Sequence, residues 1–172
     1  MLDLLRKKIR DVQDFPKEGI LFRDITPLLG DPKTFNLAIN LLADRYIGRS
    51  VDCVIGVEAR GFILGAALAY KLNAGFVLIR KPGKLPSETM KASYTLEYGA
   101  DELEIHRDAL SPSSRVILVD DVIATGGTIR ATVDLVKQFH CEIIEVAFLI
   151  ELLALNGRKQ LPECNVFSLL QY

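Results

Sequence analysis

Three cysteines and two histidines are all that this chain offers to a disulfide framework or a soft-metal site. Cys53, Cys141 and Cys164 are odd in number and widely spaced, which fits neither a disulfide scaffold nor a zinc pattern. Cys53 lies inside the apolar run 51–57 and reads as a small buried hydrophobe. A reducing, cytoplasmic setting is the expectation that follows. His106 and His140 stand alone, so neither is assigned to catalysis or to a metal. An excess of one charge is also missing. With 21 Lys and Arg against 22 Asp and Glu, the net charge is −1, without the basic surplus of nucleic-acid or membrane-surface proteins. No apolar run nears membrane-spanning length, and the opening M-L-D-L-L-R-K-K-I-R lacks the apolar core of a signal peptide. Neither nucleic acid nor membrane is therefore expected as a partner. Two common phosphate signatures are absent as well: no G-x-x-x-x-G-K-[ST] and no G-x-G-x-x-G occurs.

What is present is apolar material in short blocks separated by turns. Hydrophobic residues make up 49% of the 172, enough for the core of one domain over 1–172. Leu2, Leu5, Ile9 and Val12 fit one face of a short packing helix. The following F-P-K-E-G-I-L-F-R-D-I-T-P-L-L carries two prolines and a glycine, which argue against one continuous element. Asp31 and Pro32 read as the cap and first position of a helix that continues through Phe35, Ile39, Leu42 and Tyr46 to about Ile47. Strand 51–57, helix 62–72 and strand 75–79 form one unit; strand 115–120, helix 128–139 and strand 143–150 form a second. Between them lies a hairpin with strands near 92–96 and 103–105 and a turn through Gly99, and a last strand falls near 166–170. Two strand–helix–strand units predict an α/β fold, an open and mainly parallel twisted sheet with helices on both faces. Ligands of such sheets bind beyond the carboxyl ends of the strands. The loops 58–61 and 120–128 are thus expected along one edge.

Residues 116–128, V-I-L-V-D-D-V-I-A-T-G-G-T, are the most informative stretch. A buried strand runs into Asp120 and Asp121, then into the small turn Ala124-Thr125-Gly126-Gly127-Thr128, then into a helix marked by Ile129, Val133, Val136 and Phe139. Glycines let backbone N–H groups approach an anion, and a helix start adds its positive dipole end, so the turn should hold a phosphate. Two carboxylates beside a phosphate need partners of their own, and sugar hydroxyls or a hard cation supply them. A site with phosphate at one end and diols at the other suits a ribose 5-phosphate.

Three further clusters accompany it. Glu58-Ala59-Arg60-Gly61 sits between a strand and a helix, with Arg60 a planar cation suited to phosphate oxygens. Arg80-Lys81-Pro82-Gly83-Lys84-Leu85-Pro86, with Lys91 beyond, is a stiff, irregular basic loop in a chain of nearly balanced charge, read as a mobile lid over a pyrophosphate. Ser93-Tyr94-Thr95-Leu96-Glu97-Tyr98-Gly99 sets a carboxylate just before a turn, where Glu97 is either a proton-transfer group or an exposed strand-end residue.

The V-D-D-x-x-A-T-G-G-T string resembles the phosphoribosyl-pyrophosphate signature of the type I phosphoribosyltransferases. The blocks F-P-K-E-G-I-L-F-R-D-I-T-P-L-L, E-A-R-G-F, L-I-R-K-P-G-K-L-P and S-Y-T-L-E-Y-G resemble, in order and spacing, the adenine branch of that family. The resemblance implies a single domain with an N-terminal hood of about 1–30 and a flexible loop. It implies transfer of a phosphoribosyl group from its pyrophosphate to adenine by a cytoplasmic homodimer, with Mg2+ carried by the pyrophosphate substrate. Under it, Asp120 and Asp121 contact the ribose hydroxyls and magnesium, and Ala124, Thr125, Gly126, Gly127 and Thr128 wrap the 5-phosphate. Ala59, Arg60, Arg80, Lys81 and Lys84 hold pyrophosphate, some of them from the neighbouring subunit. Leu21, Phe22 and Arg23 bind adenine, and Glu97 is the acid/base at N7. A cis peptide is implied at Glu58-Ala59. Hypoxanthine, guanine or orotate as the base, and a non-catalytic sensor of the same fold, remain the alternatives.

Overall fold

The computed structural model describes residues 1–96 and 99–172, and the side chains of all of these but 94–96 and 99–101. Helix α1 (Leu2–Arg6) leads to strand β1 (Arg10–Val12), which pairs antiparallel with β2 (Phe22–Asp24) in the register Arg10↔Asp24, Asp11↔Arg23, Val12↔Phe22. The expected helical face therefore stops short of Val12. Leu5 and Ile9 are buried, but the backbone of 10–12 finds ladder partners in β2, and Arg10 adds a 2.5 Å bond to Asp24. Helix α2 (Thr26–Leu29) starts at once, its Thr26 amide and hydroxyl both donating to Asp24 at 2.9 Å. The stretch read as irregular thus contains a strand and a helical turn, with Pro27 in the first turn where its missing N–H is not needed. Asp31 caps α3 (Pro32–Asp44) as expected, accepting from the amides of Lys33 at 2.9 Å and Thr34 at 3.4 Å.

The next elements are β3 (Cys53–Val57), α4 (Arg60–Leu72) and β4 (Gly75–Ile79). The hairpin is longer than its sequence pattern shows, with β5 (Thr89–Leu96) against β6 (Gly99–His106). Strand β7 (Arg115–Ile123), helix α5 (Gly127–Lys137) and strand β8 (Glu142–Glu151) follow, then short 3-10 turns at Leu153–Leu155 and Gly157–Gln160, and β9 (Val166–Gln171). The main sheet has the order β4-β3-β7-β8-β9, with every neighbouring pair parallel.

Alternation along the strands divides the core between two faces. Val54, Ile117, Val119 and Leu149 pack with Leu42 of α3 and with Leu64 and Leu68 of α4. Ile55, Val57, Val116, Leu118 and Val146 pack with Ile129, Val133 and Val136 of α5 and with Leu103 and Ile105 of the hairpin. Among the described residues, no helix is long and apolar enough to cross a membrane.

Candidate active site at the carboxyl edge of the sheet

Strand β7 does not end at the acidic pair but carries it, continuing to Ile123. Asp121 is 4% exposed, and Arg60, in the first turn of α4, brings its Nε to 2.7 Å from Asp121 Oδ2. That oxygen nonetheless has no aligned hydrogen-bond donor. Asp120 accepts the Asp121 amide at 2.8 Å. It lies so close to α4 that a Cβ on Gly61 would stand 2.9 Å from its Oδ1 and 2.8 Å from the Val119 carbonyl oxygen. Gly61 is therefore the residue that lets the two strand-end loops meet. Burial first, and then the charge of Asp121, push the Asp120 carboxyl well above its ordinary range. Burial also raises Asp121, with Arg60 opposing. Two carboxylates held this way are poised for hydroxyl donors or a cation.

Beyond β7, Ala124, Thr125 and Gly126 make the turn into α5, with Gly127 and Thr128 as its first residues. Gly126 takes φ +88°, a conformation that suits glycine, and caps the helix without a side chain. The first-turn amides of α5 therefore have no side-chain cap, as an anion site requires.

On the β3 side, the Glu58–Ala59 bond is cis. The Glu58 carboxylate accepts Arg80 Nε at 3.2 Å, Arg80 Nη2 at 3.1 Å and the Lys81 amide at 3.0 Å. Arg80's hydrogen bonds hold the Glu58 carboxyl below its usual range. Glu104 does the same job further along, accepting the Gly83 amide at 3.1 Å and pairing with Lys91 at 2.8 Å. The basic loop read as a mobile lid is thus tied down in this structure by two carboxylates, with Lys81 and Lys84 exposed. Arg60 links this side to the N-terminal segment, since its guanidinium lies 5.1 Å from the centroid of the Phe22 ring, which in turn packs edge-on to Phe15.

Comparison with known proteins decides the family. The model of the phosphoribosyl transferase domain matches residues 33–170. The adenine phosphoribosyltransferase of Geobacter metallireducens is 59% identical over 171 residues, which is 99% of this chain and 100% of that one. The crystal structure of adenine phosphoribosyltransferase from Thermoanaerobacter pseudethanolicus matches with a TM-score of 0.97 at 49% identity, covering 100% of both chains. The Saccharomyces cerevisiae adenine phosphoribosyltransferase, complexed with an imino-altritol bisphosphate and adenine, matches at 0.93 and 41% identity over 98% of this chain and 97% of that one. The chain belongs to the adenine phosphoribosyltransferase family.

In this phosphoribosyltransferase the structure gathers Ala59, Arg60, Asp120, Asp121 and the turn 124–128 along one sheet edge, as the topology of the sequence predicts, and Phe22 of the separate β1–β2 ladder meets it at Arg60. Two of the expected site residues stand differently. Arg80 reaches the edge but spends its guanidinium on Glu58. The Arg23 side chain is not brought to Phe22: it pairs with Asp11 and lies 4.2 Å from the centroid of the Tyr172 ring, as alternation along β2 requires of neighbours. Glu97 lies outside the described residues. Sequence reading missed Glu58 as the anchor of the basic loop, and Tyr172 as the ring beside Arg23. Glu58 carried a signal, as a carboxylate in a strand-end loop shared with Arg60, whereas Tyr172, an aromatic beyond the last strand, carried none.

Proposed function

We propose that the protein transfers the 5-phosphoribosyl group of 5-phosphoribosyl 1-pyrophosphate to adenine, forming AMP and pyrophosphate in purine salvage. The observation that carries this reading is the position of Arg60, on Asp121 at 2.7 Å and at 5.1 Å from Phe22. One cation joins the acidic pair suited to a ribose to the aromatic ring suited to a base. Relatives over the full length bear the name of this activity.

The backbone amides of 124–128 would hold the 5-phosphate, and Asp120 and Asp121 the ribose 2- and 3-hydroxyls. Phe22 would stack on adenine, with the Leu21 backbone reading its Watson–Crick edge and Arg23 bonding a ring nitrogen. For the last contact Arg23 has to exchange Asp11 for the base. Ala59, Arg60, Arg80, Lys81 and Lys84 would receive the pyrophosphate, some of them across the interface of a homodimer. Much of the rate then comes from alignment and from stabilising charge on the leaving group. The bond from the anomeric carbon to pyrophosphate breaks through an oxocarbenium-like state, and adenine N9 attacks from the opposite face. As the N9 bond forms, Glu97 takes the N7 proton, help worth ~10²–10⁴-fold.

Magnesium fits the donor set here. Two adjacent carboxylates with an unaligned oxygen match a hard cation that arrives on substrate phosphates, and the described residues form no cluster able to hold a metal alone. Asp120 and Asp121 would be its protein contacts, and it would supply neutralisation of the leaving pyrophosphate. We assign the whole of 1–172 to one domain, with about 1–30 as the hood, working in the cytoplasm. Replacing Asp120 and Asp121 together by Asn should abolish most AMP formation while the circular dichroism spectrum stays native. Undiminished turnover in that variant would refute the ribose assignment.

A further inference from the structure

The phosphate turn rests on another backbone. A Cβ on Gly157 would stand 2.3 Å from the Ala124 carbonyl oxygen and 2.8 Å from Ile123 Cγ1. A Cβ on Gly126 would stand 2.5 Å from the Gly157 carbonyl oxygen. The nearest contact on each side is a main-chain carbonyl oxygen, which cannot yield as a flexible side chain would. Gly157 is buried at the start of the turn Gly157–Gln160, and that turn is fastened on both sides. Arg158 donates to both oxygens of Glu151, at 2.9 and 2.5 Å, and to the Val166 carbonyl at 2.6 Å. Glu151 is 5% exposed and also accepts from Ser168 at 2.5 Å and Gln171 at 3.3 Å. Arg158 first, with Ser168 and Gln171 adding to it, holds the Glu151 carboxyl down at about 2, so the fastening stays charged at every working pH. On the other side, Arg130 of α5 donates to the Gln160 carbonyl at 3.2 Å and pairs with Glu163 at 2.5 Å.

We propose that Gly157 is a positioning residue for the 5-phosphate, its backbone serving as the template on which 124–126 takes its shape, with the Glu151–Arg158 pair holding that template in register with β8. Any side chain at 157 pushes the Ala124 carbonyl outward and turns the loop amides away from the phosphate. The proposal rests on the reading of 124–128 as the 5-phosphate loop, and its effect falls on one substrate of the two.

The test is steady-state kinetics on the full chain, with melting temperatures, for Gly157→Ala, Arg158→Ala, Arg158→Lys and the loop variant Gly127→Pro, which deletes one first-turn amide of α5 at a position that suits proline. Gly157→Ala should raise KM for phosphoribosyl pyrophosphate ~10-fold or more, because losing one amide hydrogen bond to a charged phosphate weakens binding by about that factor, while KM for adenine stays nearly unchanged. Arg158→Ala should shift the same constant less, and Arg158→Lys should recover part of it. A folded Gly157→Ala with normal KM for phosphoribosyl pyrophosphate overturns the proposal, and so does a fall in kcat with both KM values unchanged. Should Gly157→Ala fail to fold, Arg158→Ala decides alone, and an unchanged constant there overturns it. If the Gly127 variant raises this KM while the Gly157 and Arg158 variants do not, the template fails and the phosphate loop stands. If the loop variant is also silent, the phosphate reading fails with it.

Discussion

Asp120 and Asp24 are both aspartates held in polar contacts, yet their environments drive them in opposite directions. Burial and the neighbouring Asp121 raise Asp120, so in the pH range just above the ordinary 3.8 the folded protein keeps a proton that the unfolded chain has released. Its effect on stability is therefore unfavourable at neutral pH and fades as the pH falls toward 3.8. Asp120→Asn should raise the melting temperature at pH 7, with the gain vanishing near pH 4 and with most turnover lost. A lower melting temperature at pH 7 would contradict the burial argument. Asp24 is lowered, chiefly by the Thr26 amide and also by Arg10, so its contribution is present above 3.8 and is lost as the pH falls through its folded value. Phe22 offers a separate test. Base–aromatic stacking is worth about 1–3 kcal/mol, so Phe22→Ala should raise KM for adenine roughly 5- to 150-fold and spare that for phosphoribosyl pyrophosphate. An equal rise in both would remove Phe22 from the base site.

At the scale of elements, the N-terminal segment hangs on Asp24, which ties β1 through Arg10 and α2 through Thr26. Asp24→Asn keeps an acceptor but loses the charge, and should cost about 1–2 kcal/mol in urea unfolding at pH 7, closing at low pH. A cost that persists unchanged at pH 3 would point to packing instead of charge. The strand–turn–helix units were legible because β3, β7 and β8 are runs of Val and Ile buried on both faces, and α3 and α5 carry strong helical spacing. The β1–β2 pair was not, because its strands are three residues each, too short for any period to show. The end of β7 was misplaced for a different reason. Charged residues usually close a strand, and here Asp120 and Asp121 continue it because β8 pairs with β7 as far as Ile123↔Glu151. Side-chain direction in that pair was equally hidden: only the β1–β2 register shows that Arg23 faces Asp11.

Across the whole molecule, residues far apart in sequence reach one edge because a parallel sheet delivers every strand end to the same side. Arg60, Arg80, Asp120 and Gly126 come from separate elements, and their convergence follows from topology more than from local pattern, while Phe22 joins them from the separate antiparallel pair β1–β2. The central claim is that this convergence serves adenine and a ribose 5-phosphate donor together. The most direct measurement is product formation from phosphoribosyl pyrophosphate and Mg2+ with adenine, hypoxanthine, guanine and orotate supplied at equal concentration. The account predicts AMP and pyrophosphate in equal amounts, with the other nucleotides far behind. A preference for any other base, or binding of phosphoribosyl pyrophosphate with no nucleotide formed from any of the four, would contradict it.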